Sequence, residues 1–148
     1  MASNNDIVMN LDNQYLIETN EQVLKNHKKL TGQKVWIEII AKNIARVFPK
    51  VNSVGNSGNK KEDLIEKAAC IMAVIPWAQV FFDGNRRTGI IAAGTFLRDN
   101  GYELDIDPED ENLELRDMLS EIKKHALDLE PNIMKKMSFY ISKRIKPL

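Results

Sequence analysis

Residues 79–100 read QVFFDGNRRTGIIAAGTFLRDN, a polar loop that leads directly into an apolar helix. We predict this helix over about 87–100, with Gly101 as the residue that ends it. Apolar side chains cover most of its surface, which is typical of a helix buried at the centre of a bundle. The stretch therefore predicts an all-α protein packed around a buried central helix.

Apolar residues recur at helical spacing on both sides of this stretch. They predict further helices over about 11–30, 35–47 (ended by Phe48-Pro49), 62–77, 111–127 and 131–145. Strand signals are almost absent, and YELDIDPED at 102–110 is acidic and extended. KVNSVGNSGNK at 50–60 is rich in Gly, Asn and Ser, so we predict the most flexible internal stretch there. The fold class is all-α, with about six helices in a single domain over 1–148.

Bulk composition excludes several classes of protein. The chain has 21 basic and 21 acidic side chains, so no global field draws it to nucleic acid or an anionic membrane. No apolar run approaches the roughly 20 residues that span a bilayer, and the N-terminus lacks the features of a signal peptide. The lone Cys70 excludes an internal disulfide and, in its apolar setting, is expected to pack inertly in the core. We expect a cytoplasmic protein with neither nucleic-acid nor membrane partners.

The polar loop has the features of a phosphate site. Arg86 and Arg87 lie in the first helical turn, where each opposes the helix dipole by roughly 0.3–1 kcal/mol. An anion would offset that cost, because a helix N-terminus offers free N–H groups and arginine adds a bidentate fork. The neighbouring Asp83 could hold the magnesium ion that accompanies a nucleotide phosphate.

Residues 79–89, named the signature loop below, resemble the Fic/Doc family signature His-x-Phe-x-Asp-(Gly/Ala)-Asn-(Gly/Lys)-Arg. The matching residues are Phe81, Asp83, Gly84, Asn85 and Arg87. Thr88 and FLRDNGYEL at 96–104 resemble the continuation seen in the Doc (death-on-curing) branch. LIETNEQVLKNHKKLTG at 16–32 resembles the first helix of Doc-type proteins. The resemblance covers most of residues 14–125.

The resemblance implies roles for individual residues in binding ATP with Mg²⁺. Asp83 would coordinate the metal, or alternatively cap the helix through its side chain. Arg87 would bind the nucleotide phosphates, or alternatively form a surface salt bridge. Asn85 would contact phosphate oxygens or cap the helix, while Gly84 and Thr88 would border the nucleotide. Phe81 is expected to anchor the loop in the core.

Arg86 indicates the branch within the family. Family members that transfer adenylyl groups have glycine at this position, whereas Doc has lysine. A bulky cation there implies that ATP binds reversed and offers its γ-phosphate. The second family arginine would fall on Ile90, and its absence is also Doc-like. The resemblance therefore favours phosphoryl transfer over nucleotidyl (AMP) transfer.

Gln79 stands where the family has its catalytic histidine. An amide has no proton acceptor that titrates near neutral pH, and loss of a general base lowers a rate by roughly 10² to 10⁴. Three explanations stay open: a natural degenerate binder, a change introduced to silence a toxic enzyme, or another residue acting as base. His27 and His125 both lie in charged helical segments and are expected to be solvated.

These features predict a Doc-like toxin of a toxin–antitoxin pair, which phosphorylates a protein hydroxyl. The resemblance to the Doc branch implies a target that is similar to translation elongation factor Tu. The family's inhibitory pattern Ser/Thr-x-x-x-Glu-(Gly/Asn) is not found in the sequence, so a separate antitoxin chain is expected. Residues 50–60 would form either a flap that aligns the target by strand addition or an ordinary surface loop. The alternatives are a catalytically silent nucleotide- or protein-binding module and a Fic-type AMP transferase.

Overall fold

The computed structural model describes residues 6–148 as a helical domain with one small sheet. The elements are α1 (Asn13–Thr31), α2 (Ala41–Ile44), α3 (Val47–Asn52), α4 (Lys60–Ala78), α5 (Asn85–Asp99), β1 (Tyr102–Leu104), α6 (Leu113–Ile122), α7 (Pro131–Ser142) and β2 (Ile145–Pro147). The all-α fold class is therefore confirmed.

The central helix is α4, one element earlier than predicted. Every residue from Lys67 to Ala78 is buried, and α4 contacts α2, α3, α5, α6 and α7. The predicted centre, α5, packs tightly on α4 but keeps a partly exposed face. Gly89 permits this approach, because a Cβ atom there would lie 3.1 Å from the main-chain oxygen of Met72. The apolar composition of α5 correctly indicated a buried helix. The central helix, however, is α4.

The predicted helix over 35–47 is wrong. Residues 33–40 are not helical, and Ile39 forms an antiparallel bridge with Phe81 of the signature loop. After residue 40 helical structure begins with α2. Helix α3 continues through Pro49, whereas the prediction ended the helix at Phe48-Pro49. Proline is tolerated there because N–H groups of a helix's first turn have no intrahelical partner.

The C-terminal prediction is also too helical. Helix α7 ends at Ser142, and Ile145–Pro147 pairs antiparallel with Tyr102–Leu104. Helix α6 likewise ends at Ile122 rather than near 127. Strands β1 and β2 are far apart in the sequence, and each is only three residues long. Such short strands leave no alternating pattern from which the pairing could be predicted.

The 50–60 segment is anchored rather than loose. The buried carboxylate of Asp63 accepts hydrogen bonds from Ser57 Oγ (2.6 Å), Ser57 N (2.9 Å) and Gly58 N (2.9 Å). Lys67 Nζ donates to the main chain of the same loop at 2.8 Å. Burial alone would raise the pKa of Asp63, but the Ser57 hydroxyl and the two amides hold it below its usual value. The Gly, Asn and Ser content of this stretch did not indicate this buried polar network.

Cys70 behaves as expected for a core residue. It is buried in α4, and burial raises the pKa of its thiol to about 12, so it is protonated at neutral pH. The expectation that Cys70 packs in the core is confirmed. Over residues 6–148, none of the helices combines the length and the apolar character that crossing a bilayer would require.

Candidate functional site

The signature loop makes a sharp reversal between α4 and α5. Gln79 ends α4 in the left-handed region (φ 52°), and Gly84 precedes α5 in the same region (φ 75°). A Cβ atom on Gly84 would approach Leu24 Cδ2 to 3.0 Å and Asn20 Nδ2 to 3.1 Å. Glycine at position 84 therefore serves both the backbone conformation and the close packing of α1 against the loop.

Asn85 closes the loop on itself. Its Oδ1 accepts from Phe81 N at 3.0 Å and its Nδ2 donates to Phe81 O at 2.8 Å. Phe81 is buried, as expected for an apolar anchor. Since Gly84 precedes α5 and no side chain caps it, Asn85 is not a helix cap. Its Oδ1 and one of the two Nδ2 hydrogens bond the main chain of Phe81, and the phosphate contact implied by the resemblance stays a prediction.

Asp83 presents one engaged and one open carboxylate oxygen. Its Oδ1 accepts from Gly84 N at 3.0 Å, and its main-chain oxygen accepts from Asn20 Nδ2 at 2.8 Å. Its side chain does not cap α5, so the helix-cap alternative is wrong. Among the described residues, Oδ2 has no hydrogen-bond or ion-pair partner. A half-buried carboxylate with an open oxygen is suited to binding a cation.

Magnesium fits this site only together with a phosphate. Over residues 6–148 no cluster of three histidine, cysteine or acidic side chains is placed to hold a metal by itself. Mg²⁺, however, is commonly held by one or two carboxylates plus substrate phosphates, and it keeps several waters. The single carboxylate of Asp83 beside two arginines matches that arrangement.

The two arginines lie at the N-terminus of α5, as predicted, and the loop between β1 and α6 reaches them. Arg87 Nε is 3.3 Å from Glu109 Oε2. The atom is buried and the alignment is too poor for a hydrogen bond, so Arg87 Nε stays unsatisfied. Arg86 Nη1 donates to Glu111 O at 2.8 Å. Burial and then the neighbouring Arg87 lower the pKa of Arg86, which stays charged at neutral pH.

Glu109 is a weak occupant of this cationic site. Its side chain is 43% exposed, whereas that of Arg87 is 22% exposed. An ion pair with one exposed partner is typically worth about 0–1 kcal/mol. The Glu109 carboxylate can therefore leave Arg87 at little cost. Among the described residues no side chain caps the first turn of α5, so its first main-chain N–H groups have no side-chain acceptor.

Gln79 acts as part of the helix end. Its Nε2 donates to Pro76 O at 2.8 Å, and its main-chain oxygen accepts from Asn43 Nδ2 at 3.1 Å. The position is the first of the signature loop, but the amide is turned back on α4. Neither histidine offers a substitute base bonded to the loop, since His27 bonds Gln33 and His125 follows α6.

Thr88 is not available to a ligand. It is fully buried, and its Oγ1 accepts from Asn20 Nδ2 at 3.2 Å. The resemblance had placed it beside the nucleotide, whereas the structure makes it a contact between α5 and α1. Asn20 was missed in the sequence. The signal was a polar residue, followed by Val23 and Leu24, on the face of α1 that is buried.

Main-chain hydrogen bonds join segment 38–40 to the signature loop. Ile40 N donates to Val80 O (2.8 Å) and Phe82 N donates to Glu38 O (3.1 Å). Lys60, at the end of the 50–60 segment, begins α4, whose 19 residues place it about 28 Å from the loop. Lys50, at the other end of the segment, lies over the ring of Trp77 (5.9 Å to the centroid). The flap role predicted for 50–60 stays a prediction. The β-branched and aromatic content of QKVWIEII is the signal that could have indicated the pairing of segment 38–40.

A cavity of about 720 Å³ opens between α4 and α7. Its apolar lining includes Ile65, Leu129, Met134 and Phe139, and no residue of the signature loop lines it. The cavity is therefore separate from the arginines at the N-terminus of α5.

The fold and the loop together define a helical protein with a cationic, uncapped helix N-terminus beside an open carboxylate. The model of the Fic/DOC family matches residues 10–97, which is more than half of the chain and includes the signature loop. The chain belongs to the Fic/DOC family. Comparison with curated proteins and with solved structures gives no match. Members of this family generally bind ATP with Mg²⁺.

Proposed function

We propose that this protein is a Doc-like toxin of a toxin–antitoxin pair, built for Mg²⁺-dependent transfer of the ATP γ-phosphoryl group to a protein hydroxyl. The observation that carries the proposal is the pair of adjacent cations, Arg86 and Arg87, at the uncapped start of α5. The bulk of Arg86 favours the ATP orientation of the Doc branch. The poorly satisfied Arg87 Nε supports an anionic ligand at this place.

The side chains of the loop have distinct roles in this proposal. Arg86 and Arg87 bind phosphate oxygens, and Asp83 Oδ2 holds the metal. Bound MgATP supplies the phosphoryl group, with a new bond from the target oxygen to phosphorus and release of ADP. The hydroxyl proton then needs an acceptor at position 79. Gln79 cannot accept it, so the chain is expected to bind nucleotide and to transfer slowly.

A second function, a catalytically silent binding module, is favoured by the hydrogen bonds of Gln79. Its amide caps α4 through Pro76 O, an arrangement that serves structure rather than proton transfer. In this alternative the nucleotide or a partner protein is bound without chemistry. Transfer by the unaltered chain, measurable with labelled ATP, would exclude it.

Target docking is proposed at segment 38–40. One edge of this segment is hydrogen-bonded to the main chain of the signature loop. An extended peptide could add to the other edge through main-chain hydrogen bonds. Trp36 and Phe82 are exposed nearby, at 65% and 60%. The proposed target is a protein resembling translation elongation factor Tu, and a separate antitoxin chain would restrain the toxin.

The position of the label in ATP tests the proposal. The Gln79→His variant is incubated with a candidate target and ATP labelled on either the γ- or the α-phosphate. The proposal predicts incorporation from γ-labelled ATP only. Incorporation from α-labelled ATP would indicate AMP transfer instead, and incorporation from neither would contradict both chemistries.

Removing the charge of Glu109 should tighten nucleotide binding. Glu109→Gln frees Arg87 from a weak ion pair, so the dissociation constant for MgATP should fall by about two- to fivefold. Calorimetric titration measures the change. Glu103→Gln is a matched control, because Glu103 pairs with Lys146 at 3.7 Å and is similarly exposed (44%). An equal change in both variants would mean that only net charge matters.

A further inference from the structure

We propose that Asn20 of α1 is a positioning residue for the metal-binding carboxylate of Asp83. This inference rests on the proposed function, because it concerns how the same site is prepared for Mg²⁺. Asn20 lies 63 residues before Asp83 and belongs to no part of the signature. It is buried, and its side-chain amide touches both the loop and α5.

The two hydrogen atoms of Asn20 Nδ2 have separate acceptors. One is directed to Asp83 O at 2.8 Å, and the other to Thr88 Oγ1 at 3.2 Å. Thr88 is fully buried in the first turn of α5, next to Arg87. Asn20 therefore fixes the loop relative to the helix that carries the arginines.

The planar peptide between Asp83 and Gly84 carries this restraint to the carboxylate. Its C=O group is held by Asn20, and its N–H group donates to Asp83 Oδ1 at 3.0 Å. Because a peptide unit is rigid, fixing the C=O direction fixes the N–H direction as well. The N–H bond to Oδ1 then sets which carboxylate oxygen stays open for a metal.

The packing around Gly84 supports the same assignment. A Cβ atom at this position would lie 3.1 Å from Asn20 Nδ2. The glycine thus lets the asparagine reach the main chain of the loop. Neighbours that hold a metal-binding carboxylate in place typically affect metal affinity by about 10- to 100-fold.

The test is the magnesium dependence of ATP binding in Asn20→Leu, which removes the donor at similar volume. Dissociation constants for ATP are measured by calorimetry with Mg²⁺ and with a chelator. The enhancement by Mg²⁺ should fall by about tenfold, whereas binding of ATP alone should change less than about twofold because both arginines remain. Should Asn20→Leu not fold, Asn20→Ala removes the same donor without adding apolar bulk.

Tyr15→Phe is the matched control. Tyr15 Oη donates to Thr95 Oγ1 at 2.7 Å, so it also joins α1 to α5, but away from the signature loop. It should leave the magnesium dependence unchanged. In the nucleotide-free protein, exchange of the Gly84 amide hydrogen should speed up roughly fivefold in Asn20→Leu and stay constant in Tyr15→Phe.

Unchanged magnesium dependence or unchanged Gly84 exchange in an Asn20 variant that still binds ATP would overturn the positioning role alone. An equal effect of Tyr15→Phe would assign both contacts to general stability and overturn it too. Failure of the unaltered chain to bind MgATP would overturn the proposed function and the positioning role together.

Discussion

Gln79→His should create phosphoryl transfer that the unaltered chain shows weakly or not at all, with a gain of roughly 10² to 10⁴ in rate. Histidine supplies the proton acceptor that the amide lacks. The left-handed conformation of residue 79 (φ 52°) does not oppose the change, because histidine is enriched in that region. The measurement is transfer of γ-labelled phosphate to a target protein.

The matched control for this gain is Gln79→Asn. Asparagine also adopts the left-handed region readily, and it changes the hydrogen bond to Pro76 O without adding a base. Gln79→Asn should therefore remain as slow as the unaltered chain. A gain in Gln79→Asn equal to that in Gln79→His would show that release of the cap, not proton transfer, limits the rate.

Gly55→Ala should destabilise the fold by about 3 kcal/mol, from a left-handed backbone penalty of about 1–2 kcal/mol plus overpacking. The residue has φ +69°, and a Cβ atom there would lie 2.6 Å from Asp63 O and 2.7 Å from Lys67 Cγ. Both neighbours belong to the buried network that anchors the 50–60 segment, so neither can yield easily. Urea unfolding measures the free energy of unfolding.

Gly32→Ala separates the two contributions. Gly32 has nearly the same φ (+72°), but a Cβ atom there would have no neighbouring atom within 4 Å. The variant should lose only about 1 kcal/mol, from backbone strain. Equal losses at both glycines would show that the network around Asp63 tolerates the extra methyl group, and that the segment is as pliable as its composition suggested.

The helices that the sequence predicted well are those with a long apolar face. The segments that became α1, α4 and α5 were placed within a few residues because their apolar spacing persists over several turns. The elements that were predicted wrongly are short or depend on contacts with distant parts of the chain. Ile39 meets Phe81, and Ile145–Pro147 meets Tyr102–Leu104, through pairings that span tens of residues. Local periodicity carries no record of such partners.

The sequence predicted which residues belong to the candidate site but not how they are arranged. The positions of Asp83, Arg86 and Arg87 at the start of α5 followed from the signature alone. The internal use of Asn85 and the burial of Thr88 did not, because both depend on contacts that only the folded loop makes. Glu109 and Asn20 come from other elements and could not be assigned to the site from spacing.

A calorimetric titration of the unaltered protein with MgATP, beside Arg87→Ala, tests the phosphate site at the N-terminus of α5 directly. We expect saturable binding below millimolar ATP. Charge-assisted hydrogen bonds contribute about 1.5–3 kcal/mol each, so affinity should fall by about 10- to 100-fold in Arg87→Ala. No binding at millimolar ATP, or equal affinity in both proteins, would contradict a phosphate site at the N-terminus of α5.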